Sequence, residues 1–134
     1  METLEKSKVK ALAKYLECKP SDITDRDFEN YLVLTDEEAD EKATENIKDS
    51  LWAFNAAFIL SECGLDMSGV ESLKQMQEKS CESANDFILS LVEKTCGLNS
   101  FIKAAISADG RGHFLSSYDG NENESGEYFI YRTN

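Results

Sequence analysis

Residues 35–64 read TDEEADEKATENIKDSLWAFNAAFILSECG, and this stretch decides most of the expected fold. Thr35 and Glu38 have the spacing of a capping box, in which each side chain accepts a hydrogen bond from the other residue's backbone amide. Apolar residues then recur at helical spacing, and Gly64 is placed to act as a C-cap. The apolar stripe comprises Ile47, Leu51, Phe54 and Phe58, widened by Trp52 and Ile59. The pattern predicts one long helix whose polar front half projects into solvent and whose back half, including the aromatic residues, lies in the core.

Shorter helical patterns surround this stretch. Apolar residues from Leu4 to Leu16 predict a first helix over residues 3–17, which Pro20 helps to end. Ser68 and Glu71 repeat the capping-box spacing and predict a helix of about three turns. A further helix is predicted from Cys81, Ala84, Ile88, Leu91, Val92 and Thr95, with Gly97 as its stop, and a brief last one from Phe101, Ile102, Ala105 and Ile106.

Strand-forming residues occur in three places. Residues 31–34, YLVL, predict a short strand after the polar, turn-like residues 21–30. HFLSSY (113–118) and YFIYRTN (128–134) flank the polar loop DGNENESGE (119–127), which predicts an antiparallel hairpin. We therefore expect a helix-dominated α+β fold in a single domain over residues 1–134, with residues 31–34 pairing with the hairpin.

The composition narrows the classes of partner. Twenty-six acidic and fourteen basic residues give a formal net charge of −12, which opposes binding to nucleic-acid phosphates and to anionic membrane surfaces. The four cysteines form no C-x-x-C pair and lie far from His113 in sequence, so they do not suggest zinc. The charged N-terminus has no signal-peptide pattern. We expect a cytoplasmic protein with reduced, mostly buried thiols, no cofactor and no direct contact with nucleic acid or membrane.

The segment from Asp109 to Gly120 concentrates polar residue types that active sites use. His113 is a candidate base for Ser116 or Ser117, with Asp109 or Asp119 to orient it. In an extended segment, however, His113 and Ser116 would face apart. The alternative to a partner-binding protein is nevertheless a small-ligand site or an enzyme centred on Arg111, His113, Ser116 and Tyr118.

Two motifs that bind phosphate or calcium are incomplete in the same segment. The glycines around Arg111 lack the spacing of a phosphate-binding loop. Asp119, Asn121 and Asn123 match the first offsets of a calcium loop, but Glu124 replaces its glycine and Ile130 its last glutamate. No metal site is predicted.

Carboxylates recur every three or four residues at the front of the long predicted helix. We call this set the acidic ridge: Asp36, Glu37, Glu38, Asp40, Glu41 and Glu45. Asp119, Glu122 and Glu124 add negative charge in the C-terminal loop. A solvated helix face explains such a ridge, and a docking surface for a Lys- and Arg-rich protein explains it equally well.

Residues 106–134, ISADGRGHFLSSYDGNENESGEYFIYRTN, resemble a C-terminal signature of small acidic proteins from bacteriophages and related mobile elements. Residues 31–59 resemble the same group, and the two stretches cover somewhat under half of the chain. Such proteins include inhibitors of host defence, of the anti-restriction and anti-CRISPR types, some of which present carboxylates where nucleic-acid phosphates would bind. The resemblance implies no functional residue by itself.

The leading prediction is a non-enzymatic, phage-type interaction protein that binds a basic host protein, such as a nucleic-acid-handling defence complex. The acidic ridge together with Asp119, Glu122 and Glu124 would make the contacts. A structural phage component is a third interpretation, and the oligomeric state stays open.

Overall fold

The computed structural model describes the backbone of residues 4–134 and the side chains of residues 5–134. Its helices are α1 (Leu4–Leu16), α2 (Asp25–Asn30), α3 (Asp36–Asp49), α4 (Ala56–Cys63), α5 (Val70–Ser80), α6 (Asn85–Lys94), α7 (Leu98–Asp109) and α8 (Arg111–Leu115). Its strands are β1 (Tyr31–Leu34), β2 (Asn123–Ser125) and β3 (Tyr128–Arg132). The predicted helix-dominated α+β fold is confirmed. Of the first predicted helix, Thr3 and the Leu4 side chain lie outside the described residues.

The chain divides into two compact units. The first unit comprises Met1–Ala43 and Asp109–Asn134, and the second comprises Thr44–Ala108. The division falls within α3, so the acidic ridge is shared between the units: its residues from Asp36 to Glu41 belong to the first unit and Glu45 to the second. That the chain forms one domain stays a prediction.

The first unit is built around an antiparallel sheet with the strand order β1-β3-β2. Val33 lies opposite Ile130, and both belong to a buried cluster that includes Leu12 of α1. The predicted pairing of residues 31–34 with the C-terminal strand is therefore confirmed. Because side chains alternate along a strand, Leu34 and its partner Phe129 point to the opposite face.

The arms of the predicted hairpin were misplaced. HFLSSY is not a strand, because it overlaps helix α8 and the turn that follows, whereas β2 arises within the predicted polar loop. Gly112 permits this arrangement: a Cβ there would lie 2.5 Å from the carbonyl oxygen of Gly120, so only glycine admits the close backbone approach. The true hairpin turn is Gly126-Glu127, with Gly126 at φ +61° between the paired Ser125 and Tyr128.

The predicted long helix is wrong, because α3 ends at Asp49 and α4 begins at Ala56, with a 3₁₀ turn at Leu51–Ala53 between them. Asn55 caps α4 by accepting a hydrogen bond from the Phe58 amide at 3.1 Å. The side chain of Gln77 donates to the carbonyl of Phe54 at 2.8 Å, which satisfies a carbonyl that the break exposes. Polar partners from later helices therefore stabilise the break.

Asn85 also stabilises the break between α3 and α4. Its side-chain amide donates to the Lys48 carbonyl at 2.7 Å and accepts from the Trp52 amide at 3.1 Å. One side chain thus ends α3 and orders the 3₁₀ turn.

The front half of the predicted helix does not project freely into solvent. Ala39, Ala43 and Ile47 are each 0% exposed, and their spacing of four residues places them on one face of α3. The two alanines carry little hydrophobic signal, so their buried face was hidden among the charged residues. At the other end of the pattern, Gly64 acts as the predicted C-cap with φ +71°.

Other local predictions need correction. Residues 21–30 are not only turn-like, because Thr24 and Asp27 form a capping box that begins α2. The predicted Ser68–Glu71 capping box is wrong: Gly69 precedes α5 without a side-chain cap, and the Asp66 carboxylate caps the preceding 3₁₀ turn Met67–Gly69 by accepting from the Ser68 amide at 2.8 Å. The cysteines are not mostly buried: Cys63 is buried and Cys96 half-buried, but Cys18 and Cys81 are exposed.

Aromatic rings of the second unit pack together as the helical spacing predicted. The ring centroids of Phe54 and Phe58 lie 5.7 and 5.5 Å from that of Phe101, which is itself 0% exposed. Trp52 is half-buried. In the part of the chain that the structure describes, no helix combines the length and apolar character needed to cross a membrane.

Candidate partner-binding surface

Arg111 gathers three carboxylates at the first residue of α8. Its Nη1 lies 2.7 Å from Asp36 Oδ1 and 3.0 Å from Asp40 Oδ1, and its Nε donates to Glu122 Oε1 at 2.8 Å. Asp36 and Asp40 are one helical turn apart on α3, so both reach the same guanidinium. We call Arg111, Asp36, Asp40 and Glu122 the arginine cluster.

Aromatic residues of β3 support this cluster. The Arg111 guanidinium lies 4.7 Å from the centre of the Phe129 ring, a cation–π distance, and the hydroxyl of Tyr131 donates to Glu122. Phe129 and Tyr131 are two residues apart and so point to the same face of the sheet. The Arg111 side chain is only 11% exposed, so the cluster holds an ordered, largely buried cation.

The environment of the cluster perturbs two side chains. Burial opposes the charged form of Arg111, but hydrogen bonds to Glu122, Asp36 and Asp40 outweigh it and raise the guanidinium pKa further above its ordinary value. Burial first, and then the adjacent Glu122 carboxylate, raise the pKa of the Tyr131 hydroxyl well above 10.0. Both groups therefore keep their protons throughout the physiological range.

The structure joins residues that the sequence assigned to rival sites. Arg111 was a candidate for a ligand site, whereas Asp36, Asp40 and Glu122 were candidates for partner binding. Their contacts pair them with one another. The three carboxylates keep an excess of negative charge over the single guanidinium, and their positions are set by Arg111 although Asp36 and Asp40 are themselves exposed.

Glu38 has a structural role on the acidic ridge. Its carboxylate accepts from the Thr35 amide at 3.0 Å, and the Thr35 hydroxyl accepts from the Glu38 amide at 3.2 Å, which confirms the predicted capping box. Lys8 of α1 lies 3.0 Å away as an ion pair. The Thr35 amide, and then Lys8, lower the pKa of the Glu38 carboxyl. Glu38 therefore begins α3 and fastens it to α1.

The remaining ridge carboxylates point outward. Glu37 and Glu41 are exposed and, among the residues that the structure describes, neither pairs with a cation. Glu124 is exposed on the edge strand β2, directly opposite Phe129, and so lies on the same sheet face as the arginine cluster. We call Glu37, Glu41 and Glu124 the acidic face. Glu45, in the second unit, lies 3.8 Å from Lys48 of its own helix.

Asp119 belongs to a turn. The Ser116 hydroxyl lies 2.8 Å from its carboxylate and 2.6 Å from the Arg132 carbonyl, and the Asn121 amide donates to it at 3.0 Å. These contacts, the Asn121 amide first, lower the pKa of the Asp119 carboxyl. Asp119 is therefore ordered by the backbone after α8.

The four residues of the alternative site do not form one cluster, although Ser116 and Tyr118 both contact Arg132. His113 is exposed on α8, with its ring 5.0 Å from that of Phe114, whereas the buried hydroxyl of Ser116 is directed toward Asp119 and β3. Tyr118 is 52% exposed, and its ring lies 3.7 Å from the Arg132 guanidinium. The residues for a Ser-His-Asp relay are not assembled, although Ser116 and Asp119 do meet.

No protein-family model, curated protein or solved structure matched this chain. Within residues 5–134, no group of three or more His, Cys, Asp or Glu side chains is arranged to hold a metal ion.

Three residues of the surface were missed from the sequence. Phe129 and Tyr131 were read only as strand residues, but their two-residue spacing in a strand indicated a shared face. Lys8 was read only as part of an amphipathic helix. No local pattern indicates its partner, because Glu38 is 30 positions away.

Proposed function

We propose that this chain is a non-enzymatic interaction protein of phage type that inhibits a basic host protein, such as a nucleic-acid-handling defence complex, through its acidic face. The carrying observation is that Glu37 and Glu41 are exposed and pair with no cation among residues 5–134, in a chain of net charge −12 and beside carboxylates already engaged by Arg111. The resemblance of residues 106–134 to acidic phage proteins supports the same proposal. In that setting it acts in the host cytoplasm.

The arginine cluster supports the proposal by ordering the surface. A partner gains little from carboxylates on mobile chains, because binding then has to restrict their motion. Asp36 and Asp40 tie α3 to α8 through Arg111, so the outward residues on the same helix turns are presented from a fixed backbone. The negative potential then accelerates encounter with a Lys- and Arg-rich surface and disfavours acidic partners.

The partner class follows from the sign and arrangement of the charges. Proteins that bind nucleic acids carry Lys and Arg side chains that neutralise phosphates. The carboxylates of Glu37 and Glu41 on α3 and of Glu124 on the edge strand β2 offer those side chains the same charge-assisted hydrogen bonds. Occupation of such a surface by the acidic face would exclude the nucleic acid.

Tyr118 supplies a candidate aromatic anchor in the same unit. Its ring is 52% exposed but stacks on Arg132, and its amide donates to the Arg132 carbonyl at 3.2 Å. Exposed yet ordered tyrosines are common hot spots in protein interfaces. In this proposal the acidic face speeds encounter with the partner, and Tyr118 slows its dissociation.

The test replaces Glu37 and Glu41 together by lysine and compares capture of host proteins from lysate over a salt series. A captured protein is identified and its affinity for each variant is then measured by titration. Glu38 is left intact, because its replacement would break the cap of α3 and the pair with Lys8. We expect the double variant to lose roughly a hundredfold in affinity at low salt and most of its salt dependence.

The matched control replaces Glu71 and Glu78 of α5 by lysine. Both are exposed, so the net charge changes equally, and Glu71, like Glu37, lies in the first turn of its helix, which matches that member of the pair for the helix-dipole effect. The control should retain its affinity. Equal losses of affinity in the two double variants would show that only the net charge matters. Unchanged affinity in the Glu37 and Glu41 variant would show that the acidic face does not contribute to binding.

A further inference from the structure

One stripe of α1 faces the hairpin turn of the first unit. Ser7, Lys10, Ala11 and Lys14 are spaced three, four and seven residues from the first, so they share one helix face. Together with residues 125–128 they line an open cavity of about 250 Å³. This cavity is separate from the acidic face and from the arginine cluster.

The cavity wall is rich in hydrogen-bond donors. Each lysine ammonium supplies three donors, and the Ser7 hydroxyl supplies one more. The turn contributes its backbone: in a two-residue turn the amides of the central residues, here Gly126 and Glu127, lie outside the strand ladder. A lining that combines lysine side chains with the backbone of a tight turn is suited to an anion.

The turn is held against the helix. The Ser125 hydroxyl donates to the Ala11 carbonyl at 2.7 Å, and the Tyr128 side chain is buried in the cluster that includes Leu12. Gly126 adopts φ +61°, a conformation that an L side chain rarely adopts. The backbone wall of the cavity is therefore preformed.

The net charge of α1 is opposite in sign to the net charge of the whole chain. Helix α1 carries four lysines and one glutamate, whereas the whole chain has a net charge of −12. Two of these lysines, Lys10 and Lys14, line the cavity. Glu127 is the opposing carboxylate in the lining, so a weakly charged ligand would gain little there.

We infer that this cavity is a binding site for a small phosphate-bearing ligand. A phosphate group offers several acceptor oxygens and up to two negative charges to the ammonium groups and turn amides. The volume equals about eight water molecules at about 30 Å³ each, enough for a phosphate with a sugar-sized substituent. A long polyanion is disfavoured by the net charge of the chain, which limits the ligand to a small molecule.

The test follows backbone amide signals of the full chain by NMR during titration with inorganic phosphate and, separately, with adenosine monophosphate, at constant pH and ionic strength. Saturable shifts confined to Ser7, Gly126, Glu127 and their neighbours are expected. Tighter binding of the nucleotide assigns the site to a phosphorylated metabolite, and equal binding assigns it to the phosphate group alone. Shifts that do not saturate, or that spread over the lysines of every helix, would overturn the site.

Variants separate the site from general charge effects. Lys10→Gln with Lys14→Gln should weaken phosphate binding roughly tenfold or more, because two charge-assisted contacts are lost. The control pair Lys42→Gln with Lys74→Gln removes the same charge from exposed positions elsewhere and should bind as the parent chain does. Glu127→Gln should strengthen binding a few-fold. Equal weakening in the two lysine pairs contradicts the proposal, as does tighter, equally lysine-dependent binding of a single-stranded oligonucleotide.

Discussion

The guanidinium of Arg111 lies 2.7 Å from the carboxylate of Asp36, although the two residues are 75 positions apart in the chain. The same side chain also donates to the Asp36 carbonyl at 3.2 Å. The first residue of α8 is thereby bound to the first residue of α3. Part of the acidic ridge is therefore engaged in ion pairs that support the fold, and the carboxylates without such a pair among the described residues are a smaller set.

Replacing Arg111 by alanine should destabilise the protein by about 2 kcal/mol, because a largely buried cation is lost and three carboxylates then face one another, partly screened by solvent. Arg111→Lys should recover only part of this, since an ammonium lacks the planar fork that reaches several oxygens. Urea denaturation measures the loss. The exposed Arg26→Ala serves as control and should change stability by less than about 0.5 kcal/mol. Wild-type stability in Arg111→Ala would show that the cluster contributes nothing net.

Gln77 should matter more than its neighbour Gln75. Gln77 is 8% exposed and donates to the Phe54 carbonyl in the break between α3 and α4. Its replacement by alanine leaves that carbonyl without the donor and should cost about 1–3 kcal/mol in unfolding free energy. Gln75→Ala, on the exposed side of α5, should be nearly neutral. Similar denaturation midpoints for the two variants would contradict the role of Gln77.

The raised pKa of the Tyr131 hydroxyl predicts that the protein loses stability in alkaline solution. Its folded-state pKa is raised above the ordinary 10.0, so its contribution is fully present below that pH. As the pH rises past 10.0, the unfolded chain ionises first and the contribution is lost. Tyr131→Phe lacks this ionisation, and its urea midpoint should fall less steeply across that range. Parallel pH profiles for the two proteins would contradict the buried, neutral hydroxyl.

The lowered pKa of the Glu38 carboxyl predicts that the protein loses stability in acid. Its pKa is lowered from the ordinary 4.5, so its contribution is present above that pH and is lost as the pH falls through the lower folded value. Glu38→Gln should therefore be less stable than the parent chain near neutral pH, and the difference should shrink in acid. Thermal unfolding over a pH series measures this, with the exposed neighbour Glu37→Gln as control. A pH-independent difference would assign the effect to packing.

The cysteines should separate into two reactivity classes. Burial raises the pKa of the Cys63 thiol, and the nearby Cys96 adds to this effect against an opposing hydrogen bond with Thr95. Because the thiolate is the reactive form, iodoacetamide should modify Cys63 at neutral pH at least about tenfold more slowly than the exposed Cys18 and Cys81. Peptide mass spectrometry after timed quenching measures each rate. Equal rates in the native protein, as expected after denaturation, would contradict the burial of Cys63.

Local signals predicted much of the fold. The Thr35–Glu38 capping box, the strand at residues 31–34 and the glycine cap at Gly64 each depend on residues within a few positions of one another. The amphipathic pattern of α1 was equally local. The continuous apolar pattern from Ile47 to Phe58, in contrast, misled the prediction, because Asn55 is the only local signal of the break and its other stabilising contacts come from Gln77 and Asn85.

By itself, the sequence determined the helix-dominated class, the cap that begins α3 and the acidity of the chain. These properties follow from composition and from interactions within one or two helical turns. Only the tertiary structure decided which carboxylates face outward. Arg111 and Lys8 reach Asp36 and Glu38 from distant parts of the chain. The energy of an ion pair depends on separation in space, to which separation in sequence is no guide.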